Sequence, residues 1–153
     1  MDLNIRGRSA VITGASKGIG RAVAERFAAE GVNVHLVART VTALDTAVDE
    51  LKDKYGVDAG FSALDLSVSA NVDQLFAEFS GTMDILVNNA GISRSGERDH
   101  TSTEAWDRLM DINAKGVFLG MKYAVPEMRE TGGGSILNIS SISGFVGQES
   151  VHP

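Results

Sequence analysis

The apolar positions of this chain change period as it runs, and the changes mark the elements. RSAVIT at 8–13 is a short apolar run closed by a glycine turn, which predicts a buried strand. Ile19, Val23 and Phe27 then recur at helical spacing, predicting a helix over 18–30 that Gly31 ends. VNVHLVA at 32–38 predicts a second strand, and Val41, Leu44, Val48 and Leu51 mark one face of a helix that stops near Gly56. A third strand is predicted at 58–64, a helix around Val72, Leu75, Phe76 and Phe79, and a fourth strand at 83–88, MDILVN. After a polar, glycine-containing loop at 89–102, a long helix is predicted over 103–130. Its stripe is Trp106, Met110, Asn113, Val117, Met121, Ala124 and Met128, with Pro126 kinking it or marking its last turn. A fifth strand is predicted at 135–140.

Strands alternating with helices imply right-handed crossovers and a parallel sheet. The expected fold class is therefore α/β, a doubly wound parallel sheet in three α/β/α layers, as a single domain over 1–153. Such sheets bind ligands outside the carboxyl ends of their strands.

Composition narrows the function classes. Hydrophobic residues make up 43% and charged residues 22% of the 153, an ordinary globular mix that argues against disorder. The net charge is −6 with no basic run, so nucleic acid is not an expected partner. With no cysteine, disulfides, thiolate metal sites and a cysteine nucleophile are excluded. His35, His100 and His152 have no ligand spacing, so no metal is expected. MDLNIRGRSA lacks an apolar signal core, and no apolar run nears the ~20 residues of a membrane span, so no membrane partner and a cytoplasmic location are expected.

The first chemical motif is TGASKGIG at 13–20, between the first strand and first helix. Residues without a Cβ let a backbone approach a pyrophosphate, and a helix N-terminus adds free N–H groups and a positive dipole end. Gly14, Gly18 and Gly20, with Ser16, Lys17 and Ile19 among them, are the candidate cradle. The motif is not a P-loop, because no Gly-Lys-Ser/Thr follows. The glycines alone fit an ordinary tight turn equally well. The preceding strand and following helix favour nucleotide binding.

TGASKGIG, NNAG at 88–91, Asn113 within the long helix and NISS at 138–141 together resemble the short-chain dehydrogenase/reductase family, in order and over essentially the whole chain. The resemblance implies a Rossmann-type fold and NAD(P)-dependent oxidation or reduction of a small-molecule alcohol or carbonyl. In NAD binders an acid about 20 residues past the glycines holds the ribose 2′-OH. Here Ala38 stands in that place and Arg39 follows. A guanidinium grips a 2′-phosphate where an acid would repel it. Lys17 adds a second charge, so NADP(H) is expected to be preferred, with NAD(H) as the lesser cofactor.

The resemblance assigns further roles. Asp65 and Leu66 match the family's adenine-contacting pair, although a cap or turn acid is the plainer reading of Asp65. Asn89, Ala90 and Gly91 are expected beside the cofactor. Asn113 matches the residue that helps hold a relay water, against the plainer reading of a satisfied core amide. Ser141 matches the catalytic serine, whose hydroxyl would bond the substrate oxygen. Ser140 would face the other way, because consecutive strand residues alternate, and Ser143 is the local alternative. The family's acid is a tyrosine in Tyr-x-x-x-Lys, which at the common spacing falls at or near position 154, past Pro153. Neither Tyr55 nor Tyr123 sits in that pattern.

The expectation is thus the N-terminal part of a dehydrogenase that is a homo-oligomer when complete, with the sixth and seventh strands beyond it. Residues 1–153 alone are expected to bind nucleotide without turnover and to leave ILNIS as an association-prone edge strand. Competing readings are a nucleotide-binding or regulatory module without turnover, and a ketoacyl reductase linked to acyl carrier protein.

Overall fold

The computed structural model describes residues 3–79, 81–93 and 102–146. Five strands form one parallel sheet in the order β3-β2-β1-β4-β5: β1 Ser9–Thr13, β2 Asn33–Ala38, β3 Ala59–Ala63, β4 Ile85–Asn88 and β5 Ser135–Asn138. Between them run helices α1 Gly18–Ala29, α2 Val41–Tyr55, α3 Ser69–Glu78, α4 Thr103–Met110 and α5 Gly116–Glu130. The expected α/β doubly wound sheet is what the chain forms. Each observed strand is one or two residues shorter than predicted at one end, and β3 at both, because pairing does not extend over the whole predicted run.

The period of two along the strands sorts their side chains between two cores. Ala10, Ile12, Leu36, Ile85 and Val87 join Ala24, Ala28, Leu44, Val48 and Leu51 beneath α1 and α2. Their immediate neighbours Val11, Val37 and Leu86 point the other way and pack with Leu75, Ala124 and Met128 of α3 and α5. β1, β2 and β4 therefore send apolar side chains to both faces, which explains the largely apolar runs of β1 and β4, while Asn33 and His35 interrupt that of β2. Each fully buried Leu or Ile contributes about 1.5–3 kcal/mol from leaving water, and Ile12, Leu36, Leu44, Leu51 and Leu86 are all fully buried.

The predicted long helix is corrected in three respects. It is interrupted at Asp111–Lys115 by a π-helical turn that separates α4 from α5. The buried face runs through Ala105, Ile112, Leu119, Gly120, Ala124 and Met128, while Trp106 and Met110 of the expected stripe are exposed. A wider turn adds residues without adding a turn, so a stripe counted at ordinary α spacing runs one residue out of phase before it. Pro126 lies inside α5 without ending it. Asn113, expected on the buried stripe, is exposed. β5 ends at Asn138 rather than 140, so Ser140 and Ser141 lie past the strand and simple alternation does not assign their faces.

Candidate cofactor pocket and reaction edge

Thr13, the last residue of β1, is buried to 7% exposure and ties two loops together. Its Oγ1 donates to the Val87 carbonyl at 3.2 Å and accepts the Asn89 and Ala90 N–H groups, each at 3.0 Å. The Asn89 amide returns the contact, Nδ2 donating to the Thr13 carbonyl at 3.0 Å and the Gly14 carbonyl at 3.3 Å. These bonds close the gap between neighbouring strands β1 and β4, so the glycine turn and the NNAG loop form one unit.

Two glycines make that approach possible. Gly14 has φ +67°, and a Cβ there would lie 2.9 Å from Ala90 Cα. A Cβ at Gly20 would lie 2.5 Å from Asn89 Nδ2 and 2.6 Å from the Gly14 carbonyl oxygen. Gly20 thus supports the cradle from beneath, whereas the other candidate cofactor residues line a cavity of about 550 Å³ above it. Ser16, Lys17, Gly18 and Ile19 form one wall of that cavity, Ala38 and Arg39 a second, Asp65 and Leu66 a third, and Asn89–Gly91 a fourth. Ile112 of the π turn reaches the same cavity, as does Ile92. Neither was singled out in the sequence.

The cavity fits an anionic nucleotide. No side chain caps the N-terminus of α1 and its first turn carries no acid, which leaves its N–H groups for a phosphate. Arg39 borders the cavity beside Ala38, with no carboxylate at that strand end. Asp65 takes both readings offered for it. Its carboxylate accepts the Ser67 N–H at 3.0 Å and the Ser67 hydroxyl at 2.8 Å, as a turn acid does, and it also lines the cavity. The Ser67 amide, aided by the Ser67 hydroxyl and the charges of Arg39 and Arg108, holds its carboxyl below the usual range against the opposing effect of burial.

Asn113 bonds both polar groups of one backbone unit. Its Oδ1 accepts the Ile92 N–H and its Nδ2 donates to the Ile92 carbonyl, both at 2.8 Å. Its amide therefore clamps the segment after Gly91 to the π turn from an exposed position rather than from the core. Asn88, only 4% exposed, donates through Nδ2 to Asn138 Oδ1 at 2.9 Å and joins the last residues of β4 and β5. A Cβ on Gly120 would come within 2.7 Å of Asn88 Oδ1, so the helix above must present a glycine there.

Past β5, the Ile139 N–H donates to the Asn88 carbonyl at 2.9 Å, and the chain then leaves the sheet. Ser141 opens a short 3-10 turn, Ile142–Gly144, and its Oγ accepts the Ser143 N–H at 3.2 Å. Ser140, Ser141 and Ser143 are all exposed, and none borders the nucleotide-sized cavity. Tyr55 donates to Glu25 at 3.0 Å at the end of α2, and Tyr123 of α5 bonds Asp73 and stacks on Phe76. Neither tyrosine borders the cavity. His100 and His152 lie outside the described residues. Among the described residues no group of three or more His, Asp or Glu gathers as a metal site, and no helix is long and apolar enough to cross a membrane.

A family model described as short chain dehydrogenase matches residues 8–153. The chain belongs to the short-chain dehydrogenase family. Within that family it is 38% identical over 145 residues to the 3-oxoacyl-(acyl-carrier-protein) reductase FabG of Staphylococcus aureus, covering 92% of this chain and 58% of that protein. It is also 38% identical over 148 residues to an NADP-dependent (R)-specific alcohol dehydrogenase of Lentilactobacillus kefiri, covering 94% and 58%. Among solved structures, L-sorbose reductase from Gluconobacter frateurii complexed with NADPH and L-sorbose superposes with a TM-score of 0.87 at 39% identity, over 95% of this chain and 56% of that one. A short-chain dehydrogenase from Sphingobium yanoikuyae in complex with NADPH gives a TM-score of 0.87 at 33% identity, over 94% and 57%. The chain thus spans about 58% of the length of the curated relatives it matches.

Besides Ile92 and Ile112, Thr13 was missed in the sequence. A hydroxyl closing an apolar strand immediately before a glycine turn was its signal, since a buried hydroxyl must find partners.

Proposed function

We propose that residues 1–153 form one NAD(P)-binding domain of an NADP(H)-dependent oxidoreductase that interconverts small carbonyl compounds and alcohols in the cytoplasm. The observation that carries the reading is the cavity wall at the end of β2, where Arg39 follows Ala38 and the strand end itself carries no acid. NADP(H) would supply or accept the hydride. The N–H groups opening α1 would hold its pyrophosphate, Lys17 and Arg39 its 2′-phosphate, and Asp65 with Leu66 its adenine. Ser141 would donate a hydrogen bond to the substrate oxygen. Asn113 would act by fixing the Gly91–Ile92 segment beside the cofactor.

NADP(H) in two structural neighbours and the NADP dependence named for the Lentilactobacillus enzyme support this reading. The relatives differ in substrate, from acyl carrier protein thioesters to a sugar, so the proposed substrate class is a carbonyl or alcohol without a fixed side chain. The test is fluorescence titration of the full-length protein with NADPH and NADH. A phosphate contact of about 1.5–3 kcal/mol gives tenfold or greater preference for NADPH. Equal affinities, or tighter NADH, would overturn the assignment.

A further inference from the structure

Ser141 Oγ has one well-defined partner, the N–H of Ser143 at 3.2 Å. The Ser143 hydroxyl lies 3.4 Å away, beyond the roughly 2.5–3.0 Å of a well-made O–H···O bond. A serine hydroxyl has one proton and two lone pairs, and it rotates to suit its surroundings. With one lone pair held by an amide and no short acceptor for its proton among the described residues, the hydroxyl is set up as a donor. The amide itself is anchored. Gly144 donates to the Ser141 carbonyl at 3.0 Å and Phe145 to the Ile142 carbonyl at 2.9 Å, which fixes the turn that carries Ser143.

We propose that the Ser143 backbone N–H is a positioning group for the Ser141 hydroxyl, setting the oxygen in one rotamer so that its proton points outward to a substrate oxygen. The proposal rests on the role given to Ser141 above. An unheld serine samples three staggered wells, so presetting one of them raises the competent population by about threefold. Polarisation of the hydroxyl by the N–H donor strengthens its own donation further. The Ser143 side chain plays no part, which separates this reading from one in which the second hydroxyl takes over the chemistry.

The experiment compares three changes at residue 143 in the full-length protein, with Ser141→Ala as reference. Ser143→Ala keeps the amide, Ser143→Pro removes the N–H donor, and an ester at the Ile142–Ser143 bond, introduced by an α-hydroxy acid, replaces that N–H with oxygen. The ester gives the answer if the proline variant misfolds. The expected result is kcat lowered about threefold to tenfold by the proline and the ester, with KM and NADPH affinity within twofold of wild type and Ser143→Ala near wild type. An ester variant with wild-type kcat, while Ser141→Ala loses activity, would overturn the positioning role and leave the Ser141 assignment standing. Equal losses for Ser143→Ala and the ester would overturn it in favour of the hydroxyl. Full activity in Ser141→Ala would overturn the Ser141 assignment and this proposal with it.

Discussion

The ends of β1 and β4 and the end of β5 belong to one sheet but are held in different ways. At the first, Thr13 is buried and Asn89 lies under the turn, and each crosses from one loop to the other by hydrogen bonds of 3.0–3.3 Å. Glycines at 14 and 20 let the loops meet where any Cβ would collide. At the second, β5 pairs with β4 among the described strands, three of its four residues are exposed, and the bonds that hold Ser141 among the described residues lie within its own turn. The glycine turn and the NNAG loop are therefore tied together by long-range contacts, while the segment after β5 is held by contacts within its own turn. A substitution in the cradle should act on both stability and binding. A substitution at the edge should act on turnover alone.

The largest effect expected from that contrast is at the edge. In the full-length protein Ser141→Ala should lower kcat by about 10²–10³-fold, equivalent to ~2.7–4 kcal/mol of lost donation to the substrate oxygen. NADPH affinity and thermal midpoint should stay at wild-type values, and Ser140→Ala should do much less. Matching losses from the two serines, read by steady-state kinetics, would remove the distinction drawn between them.

Next comes the cradle. Thr13→Val keeps the shape but leaves the Asn89 and Ala90 N–H groups without their acceptor, a cost of about 1–3 kcal/mol for buried groups left unsatisfied. Chemical denaturation should show that loss, and NADPH titration should show weaker binding in the same variant. Lost stability with unchanged affinity would mean that the two loops are not one unit.

Arg39→Asp is expected to be gentler, because Arg39 is exposed at the cavity rim. It should erase or invert a roughly tenfold preference for NADPH while leaving the unfolding midpoint in place. A retained preference would shift the phosphate contact to Lys17.

The same contrast explains what could be read in advance. β1, β2 and β4 were legible because most of their residues are apolar and send side chains into the cores on both faces of the sheet. The turn beneath the cavity was legible because close backbone approach at Gly14 and Gly20 and the positive φ of Gly18 favour glycine, which leaves a visible spacing. The π turn was not legible, since nothing in DINAK distinguishes a wide turn from an ordinary one, and so the stripe through Trp106 and Met110 came out displaced. The exposure of Asn113 was displaced for the same reason. Its position followed from the count, but its partner is a backbone unit at Ile92 that only tertiary structure brings near. The bonds made by Thr13 also span more than 70 residues and leave no local periodicity.

The smallest expected effect separates the two regions by pH. His35 of β2 is half-buried, bonds Ser62 Oγ through Nε2 at 2.8 Å, and meets Phe79 edge-on with centroids 5.3 Å apart. Burial lowers its pKa below the ordinary 6.5, because the imidazolium is desolvated there. The unfolded chain then binds the proton more readily than the folded one. Stability is fully present above about pH 6.5 and declines as pH falls below it toward the folded pKa. Segment 135–146, by contrast, contains no ionisable side chain. Amide exchange, corrected for its intrinsic pH dependence, should therefore show β2 losing protection between pH 7.5 and 5.5, while β5 changes less. His35→Gln keeps a polar partner for Ser62 and removes the titration, so it should flatten the β2 response. His100 and His152 remain in that variant as internal controls. A β2 response that survives His35→Gln, or one that β5 matches, would show that the pH sensitivity arises elsewhere and that the two regions open together.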